Sequence, residues 1–411
     1  MSSKNLLSEN QYSRQSRFLN NSTPPHISTL AFLAGISAMN MGIFLPSLPS
    51  MAEDFEVSYG SMQIFVSGYF VALAFFQLLI GPVSDRIGRR ATTIIAFLIF
   101  TFATIMCEIT TNFYLFLFFR VLQASAAAGF VIGRAVIRDI VPMEHAASMI
   151  GYVTMSMTIM PMLGPAIGGL IEEHMHWQVS LRLMYFLGIC ALVLVWFDQG
   201  ETLKEKQTSF ASQGRDYLKL FSNKQFWFYS LVLGFTAGQY FSFLTGAPII
   251  SKVYFMINPS TQGYLFAIIG IGFLLGNYLT GKYTVRIGVN KLMLWGCLIA
   301  FGGPLFQVIT LSNFEFGAIS LFGPMFFVGL GNGLTIPNAS AAIVSLNPRL
   351  AGSASGLGST IQISTGGLIA YITGYFSSQQ NSPFPLVIIL FISILISLLF
   401  TFLASKKSEH L

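Results

Sequence analysis

The sequence is organised around apolar stretches that recur twelve times along its 411 residues. An apolar stretch of about 20 residues crosses the roughly 30 Å hydrocarbon layer of a bilayer when it forms a helix. We number these stretches span one to span twelve, and they cover residues 27–49, 60–82, 91–110, 113–137, 146–171, 181–198, 226–250, 262–281, 290–311, 316–340, 351–375 and 384–404. A segment in lipid must form all its backbone hydrogen bonds within the protein, which a helix does by itself. The alternation of apolar and polar residues that marks a strand of a membrane β-barrel is absent from these stretches. The sequence therefore predicts an all-α polytopic membrane protein with twelve transmembrane helices.

The composition excludes a soluble protein of the same length. Such a chain would form about two or three domains of ~150 residues. Charged residues make up only 9% of this chain and hydrophobic residues 54%, whereas soluble domains are ~25% charged. Cys107, Cys190 and Cys297 all lie inside apolar stretches, so no disulfide framework is predicted.

The basic residues are distributed unevenly between the two sides of the predicted membrane. With the N-terminus inside, 18 of the 22 Lys and Arg residues are cytoplasmic, Arg182 and Lys252 lie outside, and Arg120 and Arg134 lie within span four. An excess of Lys and Arg marks the cytoplasmic side. Both termini are therefore predicted to be cytoplasmic. The net charge of +6 then reflects topology rather than a nucleic-acid partner, and residues 1–26 show no signal peptide.

The longest polar stretch divides the spans into two sets of six. We predict a cytoplasmic tail at 1–26, a six-helix bundle at 27–198, a cytoplasmic linker at 199–225, a second six-helix bundle at 226–404 and a tail at 405–411. An internal repeat supports this division. The segments Gly81–Gly88 and Gly281–Gly288 lie 200 residues apart, after spans two and eight, and share Gly, Arg, Ile and Gly in register.

Glycines and charges after span two predict a gating loop. The glycines permit a tight turn, Asp85 is expected to cap the helix that follows, and the arginines are expected to meet carboxylates or lipid phosphates. The gating residues are Gly81, Asp85, Arg86, Gly88, Arg89 and Arg90, with Arg138 and Asp139 at the inner end of span four. The alternative is a basic loop that only sets the topology.

Three motifs resemble those of the major facilitator superfamily. The loop after span two reads G-x-x-x-D-R-x-G-R-R, the segment from Arg120 to Gln123 resembles the RxxQ motif of span four, and that from Gly164 to Gly169 resembles the GPxxGG motif of drug:proton antiporters. The segment Leu45–Pro49 and others are similar to the bicyclomycin/chloramphenicol-resistance (Bcr/CflA) subgroup. The resemblance implies two pseudo-symmetric six-helix bundles around a central cavity, with proton entry driving the export of small molecules.

The GPxxGG segment is expected to act as a hinge. Small residues and a proline make a thin, bendable helix, although small residues also serve simply to pack membrane helices. The hinge residues are Gly164, Pro165, Gly168 and Gly169.

Arg120 is the most informative single residue, because an isolated cation inside a membrane is costly. Gln123 shares its helix face and offers a carbonyl acceptor. The subgroup commonly carries an acid in span one where this sequence has Gly42. Either the substrate is an anion that binds Arg120, or Arg120 is a structural post that bonds to helix carbonyls. Glu108 remains as a possible proton site, and a solvated acid at the membrane surface is its alternative.

Polar and aromatic residues in mid-span suggest a substrate pocket. The candidates are Asn40, Phe44, Tyr69, Gln239, Tyr240, Asn277, Asn332 and Asn338. Each could instead serve hydrogen bonding or packing between helices. The segment 172–176, with two Glu and two His residues, reads as a solvated loop, and no metal site or cofactor is predicted.

The leading prediction is a monomeric, proton-driven exporter of small amphipathic, possibly anionic molecules. Because the span-one acid is missing, an importer or facilitator of a polar metabolite is the first alternative. A polytopic enzyme or sensor is the second, although the sequence shows no catalytic set of side chains.

Overall fold

The computed structural model describes residues 16–140, 143–203, 219–313, 316–346, 351–380 and 382–408. Every regular element within these ranges is a helix. The predicted all-α class is confirmed.

The first six spans are built from eight α-helices and two short 3-10 helices in the described residues. They are Ile27–Gly42, Leu45–Ser47 (3-10), Leu48–Asp54, Tyr59–Ile87, Arg89–Ile109, Phe113–Gln123, Ala124–Ala127 (3-10), Ala128–Ile140, Met143–His174 and Gln178–Asp198.

The last six spans follow the same plan of long helices joined by short turns. Their helices are Lys224–Val253, Pro259–Ile287, Val289–Asn313, Ala318–Phe322, Met325–Ser345, Ala351–Gln380 and Phe384–Ser408.

Nine helical segments in the described part of the chain are long and apolar enough to cross a membrane. They correspond to nine of the predicted spans. Spans five, seven and eleven coincide with the long helices Met143–His174, Lys224–Val253 and Ala351–Gln380. These three are not among the nine, so the count of twelve membrane crossings stays a prediction.

Span one is broken into three pieces, a feature that its apolar length alone did not predict. The first helix ends at Gly42, a 3-10 turn covers Leu45–Ser47, and a second helix begins at Leu48. Pro46 and Pro49 stand at the starts of the second and third pieces. Because proline has no N–H to donate to the residue four positions earlier, a straight helix cannot continue through it.

Spans four and ten are broken as well. A 3-10 turn of small residues, Ala124–Ala127, interrupts span four. The Ser37 hydroxyl donates to the carbonyl of Ala126, and the Ser125 hydroxyl donates to that of Ala96. In span ten the break lies at Gly323 and Pro324.

The repeat predicted from the sequence is present in the helices. Tyr59–Ile87 and Pro259–Ile287 each contain 29 residues, and both end at the same point of the repeat. The residue after each helix is a glycine with positive φ, 108° at Gly88 and 91° at Gly288. Side chains other than glycine rarely adopt this conformation, so the repeat conserves a turn that needs glycine.

Contacts divide the chain into two compact units, each assembled from distant parts of the sequence. Unit 1 contains Met1–Gly42, Phe75–Gly164 and Gln178–Ser209, and unit 2 contains Ile43–Ala74, Pro165–Trp177 and Phe210–Leu411. Unit 2 therefore includes parts of spans one, two and five together with all six later spans. The bundles at 27–198 and 226–404 remain a prediction from the repeat.

Backbones approach closely within unit 2 at the GPxxGG segment. A Cβ atom on Gly168 would overlap the carbonyl oxygen of Ile43, and one on Gly169 would overlap that of Pro259. A Cβ atom on Gly263 would lie 2.5 Å from the carbonyl oxygen of Pro165. These glycines therefore let the helix of span five touch the chain before and after it without an intervening side chain.

Alanine at Gly168 should destabilise the protein, because the obstructing atom belongs to a backbone that cannot rotate away. We expect a loss of about 1–3 kcal/mol, measured as a lower thermal unfolding midpoint of the purified protein. Gly302→Ala is the control, since a Cβ there meets no atom within 4 Å. Equal midpoints for the two variants would contradict the close contact at Gly168.

Candidate functional site

Arg120 lies at the centre of a buried polar cluster in unit 1. Its side chain is among the largest that are fully buried, with 2% exposure. Nη1 donates to Oε1 of Gln123 at 2.6 Å and to Oδ1 of Asn40 at 3.2 Å. Nη2 donates to the backbone carbonyl of Asn40 at 3.0 Å. The predicted acceptor role of Gln123 is confirmed, and Asn40 is a second partner.

The bond to the Asn40 carbonyl explains how a cation is accommodated beside Gly42. Asn40 lies in the last turn of the helix Ile27–Gly42, where carbonyls have no partner within the helix. The C-terminal end of a helix also carries partial negative charge and favours a cation. The break in span one thus supplies Arg120 with an acceptor and with a favourable potential.

The orientation of Gln123 is set by a third span. Its Nε2 donates to Oγ1 of Thr104 at 3.1 Å, which turns its oxygen toward Arg120. The Thr104 hydroxyl in turn donates to the carbonyl of Phe100. Side chains of spans one, three and four therefore hold the guanidinium in one position.

The side-chain amide nitrogen of Asn40 has no partner in the described part of the chain. Nδ2 of Asn40 is fully buried and makes no hydrogen bond to any residue that the structure describes. Its amide orientation is settled because its oxygen accepts from Arg120. A buried donor left without an acceptor costs about 1–3 kcal/mol, so a ligand with an acceptor oxygen would be favoured at this point.

Glu108 is paired with a cation from span six. Arg182 Nε donates to Oε1 of Glu108 at 2.6 Å, and the Glu108 side chain is 17% exposed. The side chain proposed as a proton site is therefore also the hydrogen-bond acceptor of Arg182.

The turn after span two gathers several of the predicted gating residues in unit 1. The buried Arg89 guanidinium reaches Oδ1 of Asp85 at 2.6 Å and Oδ2 of Asp139 at 2.9 Å. Its Nη1 also donates to the Ser84 hydroxyl at 2.5 Å. Two carboxylates on one guanidinium form charge-assisted bonds that are stronger than neutral ones. The side chain of Arg138 lies outside the described residues.

The predicted helix cap at Asp85 was wrong. Span two continues as a helix through Pro82 to Ile87, so Asp85 lies at the end of one helix rather than before the next. The cap comes instead from Glu201, whose carboxylate accepts from the backbone N–H groups of Arg89 at 2.9 Å and Arg90 at 3.3 Å. Glu201 is distant in sequence, so local spacing held no signal for it.

Asp198, at the end of span six, was also missed. Its carboxylate is fully buried and accepts from the backbone N–H groups of Leu19 and His26, each at 2.8 Å. In the sequence it resembles an ordinary acid at a membrane boundary. Its partners lie in the N-terminal segment, which was predicted to be a simple tail.

The other candidate pocket residues all belong to unit 2, and most are buried. Gln239 Nε2 donates to the carbonyl of Leu390 and Asn332 Nδ2 to that of Thr236, both at 3.3 Å. In the described part of the chain, Oε1 of Gln239 and Oδ1 of Asn332 have no hydrogen-bond partner. Gln239 and Asn332 therefore combine a bond between helices with one buried acceptor that has no partner among the described residues.

The remaining candidates make packing or helix contacts. Asn338 bonds to its own helix at Leu334 and accepts from Thr284, which fits the alternative of hydrogen bonding between helices. The rings of Phe44, Tyr69 and Tyr240 pack against neighbouring phenylalanines, Phe65, Phe70 and Phe241 respectively. Asn277 is half-buried, and its backbone N lies close to Gly333.

Unit 2 also contains contacts between the first and second halves of the sequence. The Tyr59 hydroxyl and the Gln63 amide both donate to the carbonyl of Thr245, at 2.9 and 3.3 Å. Thr245 lies three residues before Pro248, within the helix Lys224–Val253. Phe70 stacks on Phe241 with ring centroids 4.3 Å apart. We call these contacts, together with the two charged ones below, the half-to-half contacts.

Two charged contacts complete the half-to-half contacts. Lys252 Nζ lies 2.6 Å from Oε1 of Glu53. The Glu173 carboxylate accepts from the backbone N–H of Ser260 at 3.2 Å, from the Ser260 hydroxyl and from Asn258 Nδ2 at 3.5 Å. Ser260 lies in the first turn of the helix Pro259–Ile287, where a negative charge is favourable.

The comparison with known families decides what kind of protein carries these features. The family model of the Major Facilitator Superfamily matches residues 30–370. The chain belongs to this superfamily. A member of the Major Facilitator Superfamily is a transporter rather than an enzyme, and this chain is a secondary transporter of the membrane.

Similar superfamily members include bacterial transporters over nearly their whole length. The chain is 25% identical to an uncharacterized MFS-type transporter, YdgK, of Bacillus subtilis, covering 95% of this chain and 98% of that one. It is 24% identical to a bicyclomycin resistance protein homolog of Haemophilus influenzae, covering 93% and 96%. It is 26% identical to multidrug resistance protein D of Escherichia coli, also covering 93% and 96%.

Solved structures of the superfamily share the fold. A bacterial homolog of the human lysosomal transporter Spinster, in an inward-facing and occupied conformation, superposes with a TM-score of 0.72 at 17% identity, covering 92% of this chain and 96% of that one.

The Glu173 contact predicts a pH-dependent stability. The Ser260 hydroxyl holds the pKa of Glu173 below its ordinary value of 4.5. Its stabilisation is therefore present above pH 4.5 and is lost as the pH falls through the lowered pKa. Below pH 4.5 we expect the unfolding midpoint of the wild-type protein to fall more steeply than that of Glu173→Gln. Glu56→Gln should follow the wild type, and parallel curves for all three proteins would contradict this role of Glu173.

Proposed function

We propose that this transporter exports small amphipathic molecules across the bacterial cytoplasmic membrane in exchange for protons. The observation that carries the proposal is similarity over more than nine-tenths of the chain to proteins named for bicyclomycin and multidrug resistance. The GPxxGG segment supports export, because it resembles the motif of drug:proton antiporters. The protein acts as a monomer with both termini in the cytoplasm.

Alternating access requires contacts that form in one state and break in another. The half-to-half contacts supply such a set on the side predicted to be outside. Most of them are single hydrogen bonds or exposed ion pairs, which contribute little each and are suited to repeated breaking. The proposed hinge is the GPxxGG segment, with Gly164, Pro165, Gly168 and Gly169. The proposed gate on the cytoplasmic side is the cluster of Asp85, Arg89 and Asp139.

The Arg120 cluster supports a preference for substrates with an anionic group. It combines a buried guanidinium with the unpartnered Asn40 Nδ2, so it presents donors without a carboxylate at position 42. A carboxylate of a substrate would accept charge-assisted hydrogen bonds from this set. In unit 2, Gln239 and Asn332 each carry a buried acceptor without a partner in the described residues, and they are separate candidates for binding N–H or O–H groups of a substrate.

A facilitator or importer of a polar metabolite is the second candidate. Gly42 favours it, since the acid that the related subgroup commonly carries in span one is missing. The proton-driven exporter, by contrast, needs another proton carrier in place of that acid, and Glu108 is the proposed site.

Transport in inverted membrane vesicles separates the two functions. With an acid interior we expect the vesicles to accumulate substrate, and we expect an uncoupler to abolish the accumulation, because proton movement drives export. Substrates should be chosen by comparing metabolites and toxic compounds inside and outside cells with and without the protein. Substrate uptake into intact cells without a gradient would instead establish the facilitator.

Substitutions at Arg120 test the anion preference. Arg120→Gln should weaken binding of an anionic ligand by about 10- to 100-fold, because hydrogen bonds to charged groups contribute about 1.5–3 kcal/mol, and it should leave a matched neutral ligand unaffected. Arg120→Lys should retain weak binding, since lysine keeps the positive charge but lacks the planar guanidinium that can donate two parallel hydrogen bonds to a carboxylate. Gly42→Asp should disfavour anions and admit cations.

Ligand-induced thermal stabilisation of the purified variants measures these effects. Arg134→Gln is the matched control, because Arg134 is the other arginine of span four and should leave the charge preference unchanged. If Arg120 serves only to hold the helices together through hydrogen bonds, its variants will misfold or will lose binding of anionic, neutral and cationic ligands alike. Unchanged selectivity in well-folded Arg120→Gln and Gly42→Asp would end the anion hypothesis.

A further inference from the structure

The N-terminal segment from Ser16 to His26 is folded onto the end of span six. Leu19 and His26 both donate to the carboxylate of Asp198. Asn21 Nδ2 donates to the carbonyl of Trp196 at 3.2 Å. The segment also bonds to itself, because the backbone N–H of Arg17 donates to the Thr23 hydroxyl at 3.2 Å. It is therefore an ordered part of unit 1.

Asp198 accounts for why this segment is held. The helix Gln178–Asp198 ends at this residue, and a negative charge at the C-terminal end of a helix is unfavourable. A fully buried carboxylate needs hydrogen-bond donors to offset its desolvation. The two backbone N–H groups supply them. Leu19 adopts a φ of 60° beside this bond, a conformation rare for residues other than glycine.

The held segment exposes apolar side chains at the end of a membrane span. Phe18 is 52% exposed and Leu19 is 50% exposed, and in the last turn of span six Trp196 is 59% exposed. Span six is among the segments that are long and apolar enough to cross a membrane. Side chains at the end of such a span lie at the level of the lipid headgroups, where tryptophan is enriched. Exposed aromatic rings at this level contact lipid.

Cations surround these apolar side chains. Arg17 is exposed beside Phe18. The Arg90 guanidinium lies 5.5 Å from the centroid of the Trp196 ring, and its Nη2 donates to the Trp196 carbonyl at 2.8 Å. Asp198 is fully buried, so the charged groups that reach this surface are the exposed Arg17, the half-buried Arg90 and the exposed Glu201, which caps the helix that begins at Arg89. Two cations against one exposed carboxylate leave the surface with a net positive charge.

We infer that residues 16–26 and the end of span six form a binding surface for an anionic phospholipid. Arg17 and Arg90 pair with the phosphate of the headgroup, while Phe18, Leu19 and Trp196 lie along the acyl chains just below it. The surface lies on the side that the distribution of basic residues marks as cytoplasmic, where anionic lipids meet basic segments. Asp198 is the positioning residue, because it holds Arg17 and Phe18 against span six.

Binding of anionic lipid to the purified full-length chain in detergent tests the inference. We expect phosphatidylglycerol to raise the unfolding midpoint more than phosphatidylcholine does. Arg17→Gln should weaken the phosphatidylglycerol effect about fivefold, the contribution of one basic residue near an anionic surface. Arg286→Gln is the matched control, since Arg286 is an exposed arginine after span eight, at the repeat position of Arg86. The inference would be overturned if the two lipids raised the unfolding midpoint of the wild type equally. It would also be overturned if Arg17→Gln and Arg286→Gln weakened the phosphatidylglycerol effect equally.

A fluorescent label at Ser22 provides a second measurement that does not depend on stability. Ser22 is exposed within the segment. Because Cys107 and Cys297 are buried and Cys190 is only partly buried, the label is attached in a Cys190→Ser background, and the control is that background without Ser22→Cys. Brominated phosphatidylglycerol should quench the label of Ser22→Cys more strongly than brominated phosphatidylcholine. Adding Asp198→Asn should abolish the difference, because the segment is released. The proposed surface is contradicted if the two brominated lipids quench the label of Ser22→Cys equally. It is also contradicted if phosphatidylglycerol still quenches more strongly in the double variant Ser22→Cys/Asp198→Asn.

Discussion

The structure depends on one constraint of the bilayer, that every backbone polar group must find a partner inside the protein. Three spans break, and at each break a side chain from another span approaches the freed backbone. Arg120 donates to the carbonyl of Asn40, Ser37 to that of Ala126, and Gln307 to that of Leu321. The breaks are therefore held by tertiary contacts, and they place polar groups in mid-span where a transporter needs them.

The Arg120 cluster shows how a structural and a functional role coincide in one residue. The guanidinium completes the end of a broken helix, and that same end offsets part of its charge. The Asn40 and Gln123 oxygens that accept from the guanidinium are neutral, so a carboxylate of a ligand would differ in charge from these acceptors. An aspartate at position 42 would add a fixed negative charge to the same place. Glycine instead of an acid at position 42 is thus expected to shift the preference of the site from cationic to anionic ligands.

The sequence predicted the features that follow from local pattern. Apolar length predicted helices, the 200-residue repeat predicted the paired turns at Gly88 and Gly288, and the spacing of Arg120 and Gln123 predicted their hydrogen bond. It did not predict the breaks, because a proline inside an apolar stretch is compatible with either a kink or an interruption. It also missed Glu201 and Asp198, whose partners lie more than 100 residues away. Pairings over such distances depend on tertiary packing that a single sequence does not reveal.

The close backbone contacts at Gly168, Gly169 and Gly263 have a consequence for leakage. Where two helices meet through side chains, a rotamer change can open a path wide enough for a file of water molecules. Where they meet backbone to backbone, no rotamer exists to change, and water enters only when a whole helix moves. Water and small ions therefore cannot pass this point of unit 2 by a change of side-chain rotamer alone. The seal arises from the absence of side chains rather than from the presence of any particular one.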